Sequence, residues 1–119
     1  MRALAALEIR LVALELLELR LVRSLKSATD PGVAGSVIKL LSSELQEEIT
    51  EWGMRIAGLD GLELTGRPIP DPPQASHPAT DLKLVAMPRY LNTRAFTIFA
   101  GTSEIQREII AKHIMGMAP

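Results

Sequence analysis

Three groups of residues have types and spacings that could do chemistry. The first is Ala100-Gly101-Thr102-Ser103-Glu104-Ile105-Gln106-Arg107. A small-residue break is followed at once by a helix start. Ser103 with Gln106 fits the pattern in which side chains satisfy the orphan amides of a first helical turn. The amides and positive dipole end of such a start suit an anionic or polar ligand group. The same pattern also serves as a plain helix–helix corner. The second group is Glu44, Glu47, Glu48 and Glu51, in a chain with two histidines, His77 and His113. Di-metal centres in helical bundles use a Glu-x-x-His pair on each of two helices. His77 lies in a Pro-rich stretch and His113 has Ile110, not Glu, three residues before it. The pattern therefore predicts no metal ligands, and the cluster reads as a solvated face. The third group is Arg89, Asn92 and Arg94, set among Tyr90, Leu91, Phe96 and Ile98. With Phe99 close behind, this region holds the chain's single Tyr and both its Phe. It is a place to meet something flat or large, or simply the packed end of a bundle.

The elements that must position these residues read as helices. Residues 2–27 form one long helix with a seam of Leu4, Leu7, Leu11, Leu14, Leu21 and Leu25. Ile9, Val12, Leu16, Leu17, Leu19 and Val22 extend the apolar surface around it, so this helix expects neighbours on more than one side. Glu18 falls on the seam, at an interface or at the edge of the core. Asp30 suits a helix N-cap and Pro31 the first helical position, opening a second long helix over 31–57. Gly58-Leu59-Asp60-Gly61-Leu62 closes it with glycines able to take left-handed backbone. Four prolines between Pro68 and Pro73 exclude a helix there, and about 63–83 reads as a surface loop. Pro88 starts a third helix running to about Phe99, and a fourth runs from about Ser103 to Met115 and stops at Gly116. The expected architecture is all-α: an antiparallel helical bundle of two long and two shorter helices, one domain over 1–119.

Composition agrees. The chain is 47% hydrophobic but only 3% aromatic, which favours helix packing over a sheet. A formal net charge of −1 gives no electrostatic footprint for nucleic acid or an anionic membrane. The Leu-rich first helix carries a charge every few residues, which excludes a membrane span and a signal peptide. With no cysteine there is no disulfide framework, and the cytoplasm is the default expectation.

A longer pattern sits in these residues. Tyr90-Leu91-Asn92-Thr93-Arg94, then Thr97 through Arg107, then Ile109-Ile110-Ala111-Lys112, resembles the C-terminal signature of acyl-CoA dehydrogenases. Those flavoenzymes desaturate acyl-CoA thioesters between the α and β carbons. Upstream, Arg55-Ile56-Ala57-Gly58-Leu59-Asp60-Gly61 stands where the family has a Gln-x-x-Gly-Gly-x-Gly-like turn, with Arg55 in place of the Gln and Leu59 in place of a Gly. The resemblance covers essentially the whole chain and implies FAD as cofactor. It implies an acyl-CoA substrate and electron-transfer flavoprotein, or a similar acceptor, as partners. It also implies an N-terminal helical domain, a β-domain and a further bundle helix ahead of the segment seen here. The isolated chain is then expected to be inactive and, with an apolar helix face left open, to self-associate.

Carried over by the resemblance, Thr102, Ser103 and Glu104 match the family's flavin-contacting triplet. Arg55 and Gly58 belong to the segment that touches the flavin nucleotide of a neighbouring subunit, although the Arg55 and Leu59 departures weaken that match. Arg94 matches a basic position ahead of the turn, structural or near the cofactor. Phe99, Ala100 and Gly101 would line the substrate pocket. The reaction needs a base for the α-proton, and many members carry a Glu just before the Gly-Thr of the signature. Here that residue is Ala100, and a methyl group takes no proton. This chain thus supplies no catalytic residue. Either the base comes from the preceding helix, as in isovaleryl-type members, or the subunit is silent and pairs with an active one. The first is favoured. The alternative from another class is a non-catalytic helical oligomerisation or interaction module that keeps the signature only as a packing motif.

Overall fold

The computed structural model describes residues 2–27, 32–62 and 78–117, with backbone alone at 78–81 and 83. The described residues form four α-helices and one short 3₁₀ segment joined by turns, and no strand occurs among them. Helix α1 spans Arg2–Lys26. Helix α2 spans Ala34–Ala57 and runs directly into the 3₁₀ segment Gly58–Leu62. Helix α3 spans Pro78–Thr93 and α4 spans Ser103–Ile114. Asp30 and Pro31, the expected start of the second helix, lie outside the described residues, as do His77 and the rest of 63–77; the last part of the loop expected over about 63–83, residues 78–83, is helical instead.

Packing divides the chain into two compact units, Met1–Leu45 with Thr97–Pro119, and Gln46–Phe96. In the first unit, α1 is built from Ala, Leu, Glu and Arg, the strongest helix formers. Leu7 and Leu14 are its buried residues. Leu14 and Leu17 face Leu41 and Leu45 of α2 around a small cleft, and Leu45 is the most deeply buried apolar side chain among the described residues. The seam is narrower than the Leu pattern suggests. Leu4, Leu11 and Leu25 are 49%, 43% and 60% exposed. The 7/14/21 row turns inward with Leu17 beside it, because both rows carry Leu and packing selects one of them. Glu18 is exposed. Helix α4 ends in a Schellman motif. The amides of Gly116 and Met117 return to the carbonyls of His113 and Lys112, with Gly116 at φ 64°.

In the second unit, α3 packs on the 3₁₀ segment. Gly61 lies tight against the end of α2: a Cβ there would be 2.5 Å from the Ala57 Cβ, while the Ala86 Cβ of α3 would be at an ordinary 3.6 Å. Gly58, at φ 62° with open space around it, supplies the left-handed turn that ends α2. So the two glycines expected to share one role have different ones. Thr50 and Thr93 hydroxyls meet at 2.9 Å, tying α2 to the end of α3.

The third helix begins ten residues before the expected start at Pro88 and ends at Thr93 rather than Phe99. Two prolines compete to be its first residue. Pro78 takes the place where a missing N–H costs nothing, and Pro88 is absorbed inside the helix. The carbonyl that Pro88 leaves without its helical donor belongs to Leu84. Residues 94–100 are turns.

Candidate functional site

The candidate site is the corner that joins this turn region to α4. The chain enters through Ile98 and Phe99, both exposed, and Phe99 is 52% exposed. Ala100 follows at φ 58°, the one non-glycine residue at positive φ among the described residues. An L-residue in this region carries roughly 1–2 kcal/mol of steric strain. Gly101 is at φ 88°, where a Cβ would lie 2.6 Å from the Gln106 Nε2. Two successive left-handed residues reverse the chain, and Thr102, extended at φ −63° and ψ 161°, starts α4.

The helix start differs from the expected capping pattern by one residue. Thr102, not Ser103, is the N-cap; its hydroxyl accepts from the Ile105 amide at 3.4 Å. The Ser103 amide donates to the Thr97 carbonyl at 3.0 Å, and the Gln106 amide to the Thr102 carbonyl at 3.0 Å. Ser103 is buried, and its hydroxyl is shielded from solvent with no hydrogen-bond partner. The Gln106 side chain does not return to the Ser103 amide as a capping box requires. It passes the cap and donates to the Ala100 carbonyl at 3.1 Å. The shift arises because Thr102 already has the extended backbone and hydroxyl a cap needs, which places Gln106 one residue too far along the helix.

Glu104 is exposed. Its own backbone amide and the Thr102 hydroxyl hold its carboxyl below the ordinary carboxylate range; desolvation opposes them, and Arg107 and Lys39 add lesser lowering contributions. The first-turn amides are therefore occupied and a carboxylate stands beside them. Sequence pattern offered this helix start to an anion; the geometry disfavours one and leaves a site for neutral, hydrogen-bond-donating groups.

Helix α2 buttresses the corner within the same unit. Arg107 pairs with Glu44 at 2.6 Å, so Glu44 is a cross-helix partner and not part of a purely solvated face. The Lys39 Nζ is buried without a hydrogen-bond partner, and its charge acts on Glu104. Sequence reading did not single out Lys39, because one Lys in an amphipathic helix carries no pattern of its own.

Of the remaining residues expected at a site, Arg55, Gly58 and Arg94 lie in the other unit. Arg55 is exposed, bonded to Glu51 at 2.8 Å and stacked 4.8 Å over Trp52. Arg94 donates to the Glu47 carbonyl at 3.1 Å and stacks 4.5 Å over Tyr90. Those contacts tie the end of α3 to α2, which is a structural role.

This geometry can be set against known proteins. The sequence profile of the family described as "Acyl-CoA dehydrogenase, C-terminal domain" matches residues 1–115. The chain belongs to that family. No curated protein and no solved structure matched it. The all-α fold is the one an acyl-CoA dehydrogenase C-terminal domain requires. In this acyl-CoA dehydrogenase domain, no described helix is long and apolar enough to cross a membrane.

Proposed function

We propose that this domain serves an FAD-dependent acyl-CoA dehydrogenase and that the Ala100–Glu104 corner is the part of it that faces flavin and thioester. The observation that carries the reading is the corner itself. Two successive left-handed residues present exposed Phe99 and Ala100 directly before a capped helix start. An exposed apolar edge beside hydrogen-bonding groups suits an acyl thioester lying against a polar ring system.

The residues fit the flavin end of FAD better than its pyrophosphate. Thr102 and the Glu104 carboxylate offer acceptors to flavin or ribityl donors, while Ser103, with its hydroxyl buried, holds the helix start in place. A phosphate would meet the Glu104 charge. Arg55 and Gly58 supply a second cofactor contact, to the flavin nucleotide of a neighbouring subunit; an exposed guanidinium suits the pyrophosphate there. When bound, FAD accepts the β-hydrogen of the substrate. This chain's residues bind and orient; none of them is the base. Ala100 has no proton acceptor, and Glu104, held below the ordinary range, is a poor base for a weakly acidic C–H. The base therefore comes from another segment or from an active partner subunit. The acceptor of the electrons is an electron-transfer flavoprotein or a similar carrier, and the cytoplasm is the proposed location.

Removing the Thr102 hydroxyl tests the reading. In the flavoprotein carrying this domain, Thr102→Val weakens FAD retention about fivefold, the loss of roughly one hydrogen bond. Retention unchanged by Thr102→Val and by Glu104→Ala would place the flavin elsewhere.

A further inference from the structure

We infer that Gln106 is the positioning residue of the corner: its buried side-chain amide holds Ala100 and Gly101 in left-handed backbone from inside the helix they precede. The consequence for flavin and thioester rests on the function proposed above; the conformational role does not.

Four observations converge. Ala100 keeps a positive φ although its methyl disfavours it, so something outside the residue determines its conformation. Gln106 is 8% exposed in a helix whose other polar side chains mostly face solvent. Its Nε2 donates to the Ala100 carbonyl, the group whose direction changes most if Ala100 leaves the left-handed region. The same Nε2 occupies the space a Cβ on Gly101 would need, so Gln106 and Gly101 fit one another. The far side of the turn is fixed separately, by the Ser103 amide on the Thr97 carbonyl. Gln106 is the side-chain clamp between these fixed points. Being buried, it acts without touching a ligand.

The choice of Gln follows from the hydrogen bond. The Ala100 carbonyl needs a donor. A Glu carboxylate of the same shape cannot donate, and a Met of similar length cannot hydrogen-bond to it usefully.

The test is NMR on the chain, reading the intraresidue amide–Hα NOE of Ala100, which is strong where φ is positive. The wild type gives a strong NOE. Gln106→Met weakens it several-fold while the helical circular dichroism is retained. Gln106→Glu gives a weak NOE at neutral pH. The NOE returns as the pH falls through the titration of the introduced carboxyl, because its protonated form donates again. That rescue distinguishes clamping from general packing, and it remains readable if Gln106→Met does not fold. A strong, pH-independent NOE in Gln106→Glu overturns the proposal. The functional reading is scored apart from this. In the flavoprotein carrying the domain, loss of the clamp lowers kcat more than it raises KM. A weakened NOE with unchanged turnover supports the clamp and overturns the corner's proposed role. An unchanged NOE overturns the clamp whatever the turnover.

Discussion

The Gln106 side chain donates to the Ala100 carbonyl at 3.1 Å, reaching from the first turns of α4 to the residue that begins the corner. This contact crosses the helix cap and makes cap and turn one unit. Gly101 lies between its two ends at φ 88°. Gly101→Ala should therefore cost about 1–2 kcal/mol from left-handed strain, and its methyl also displaces the Gln106 amide. Ala100→Gly relieves about 1 kcal/mol of strain and loses about as much to unfolded-chain entropy, so its net effect is near zero. Thermal unfolding of both variants checks the pair. A neutral Gly101→Ala would contradict the geometry.

The glycines after α2 give a second contrast. Gly58→Ala meets strain in open space and costs about 1 kcal/mol. Gly61→Ala meets the Ala57 Cβ at 2.5 Å and forces the 3₁₀ segment away from the end of α2, costing about 1–3 kcal/mol. Urea unfolding should rank Gly61→Ala as the worse of the two. The reverse order would mean that the close approach to Ala57 is not what Gly61 serves.

A third expectation concerns pH. The folded-state value of Glu104 lies below its ordinary 4.5, through its own amide and Thr102 first. The stability it contributes is then present above the unfolded value and is lost as pH falls through the lower folded value. Carboxyl-carbon NMR should show Glu104 titrating below an ordinary Glu, and Thr102→Val should move it upward. An ordinary titration in the wild type would remove the Thr102–Glu104 hydrogen bond from the account.

Helix α1 supplies the fourth. Leu11, Leu16, Leu19 and Leu25 are all more than two-fifths exposed, and monomers rarely leave so many large apolar side chains of one helix open to solvent. Sedimentation should show the chain self-associating at micromolar concentration, with Leu11→Lys and Leu19→Lys together returning it to monomer with its helicity intact. A monomeric wild type would contradict this.

Much of the fold was legible because helix signals are local. The stop at Ala57–Gly58, the start at Ser103 and the Gly116 end follow from capping residues a few positions apart. What sequence left open depends on neighbours. Leu4 and Leu7 are equally good seam residues until α2 covers one row. Pro78 and Pro88 are equally good helix starts until tertiary packing admits one of them inside. At the site, the residue types were legible and the bonding was not. Ser103 and Gln106 fit a capping box in sequence, but the extended backbone of Thr102 takes the cap and frees Gln106 to hold Ala100.

The central claim is that this acyl-CoA dehydrogenase domain faces flavin and thioester in an active dehydrogenase without supplying the base. Anaerobic titration of the purified flavoprotein carrying it, with acyl-CoA thioesters of graded chain length, tests this most directly. The account predicts that at least one thioester bleaches the oxidised flavin absorption, with Ala100 left as it is. A protein that holds no flavin, or a flavin that stays oxidised with every thioester both alone and with a partner subunit, would contradict it.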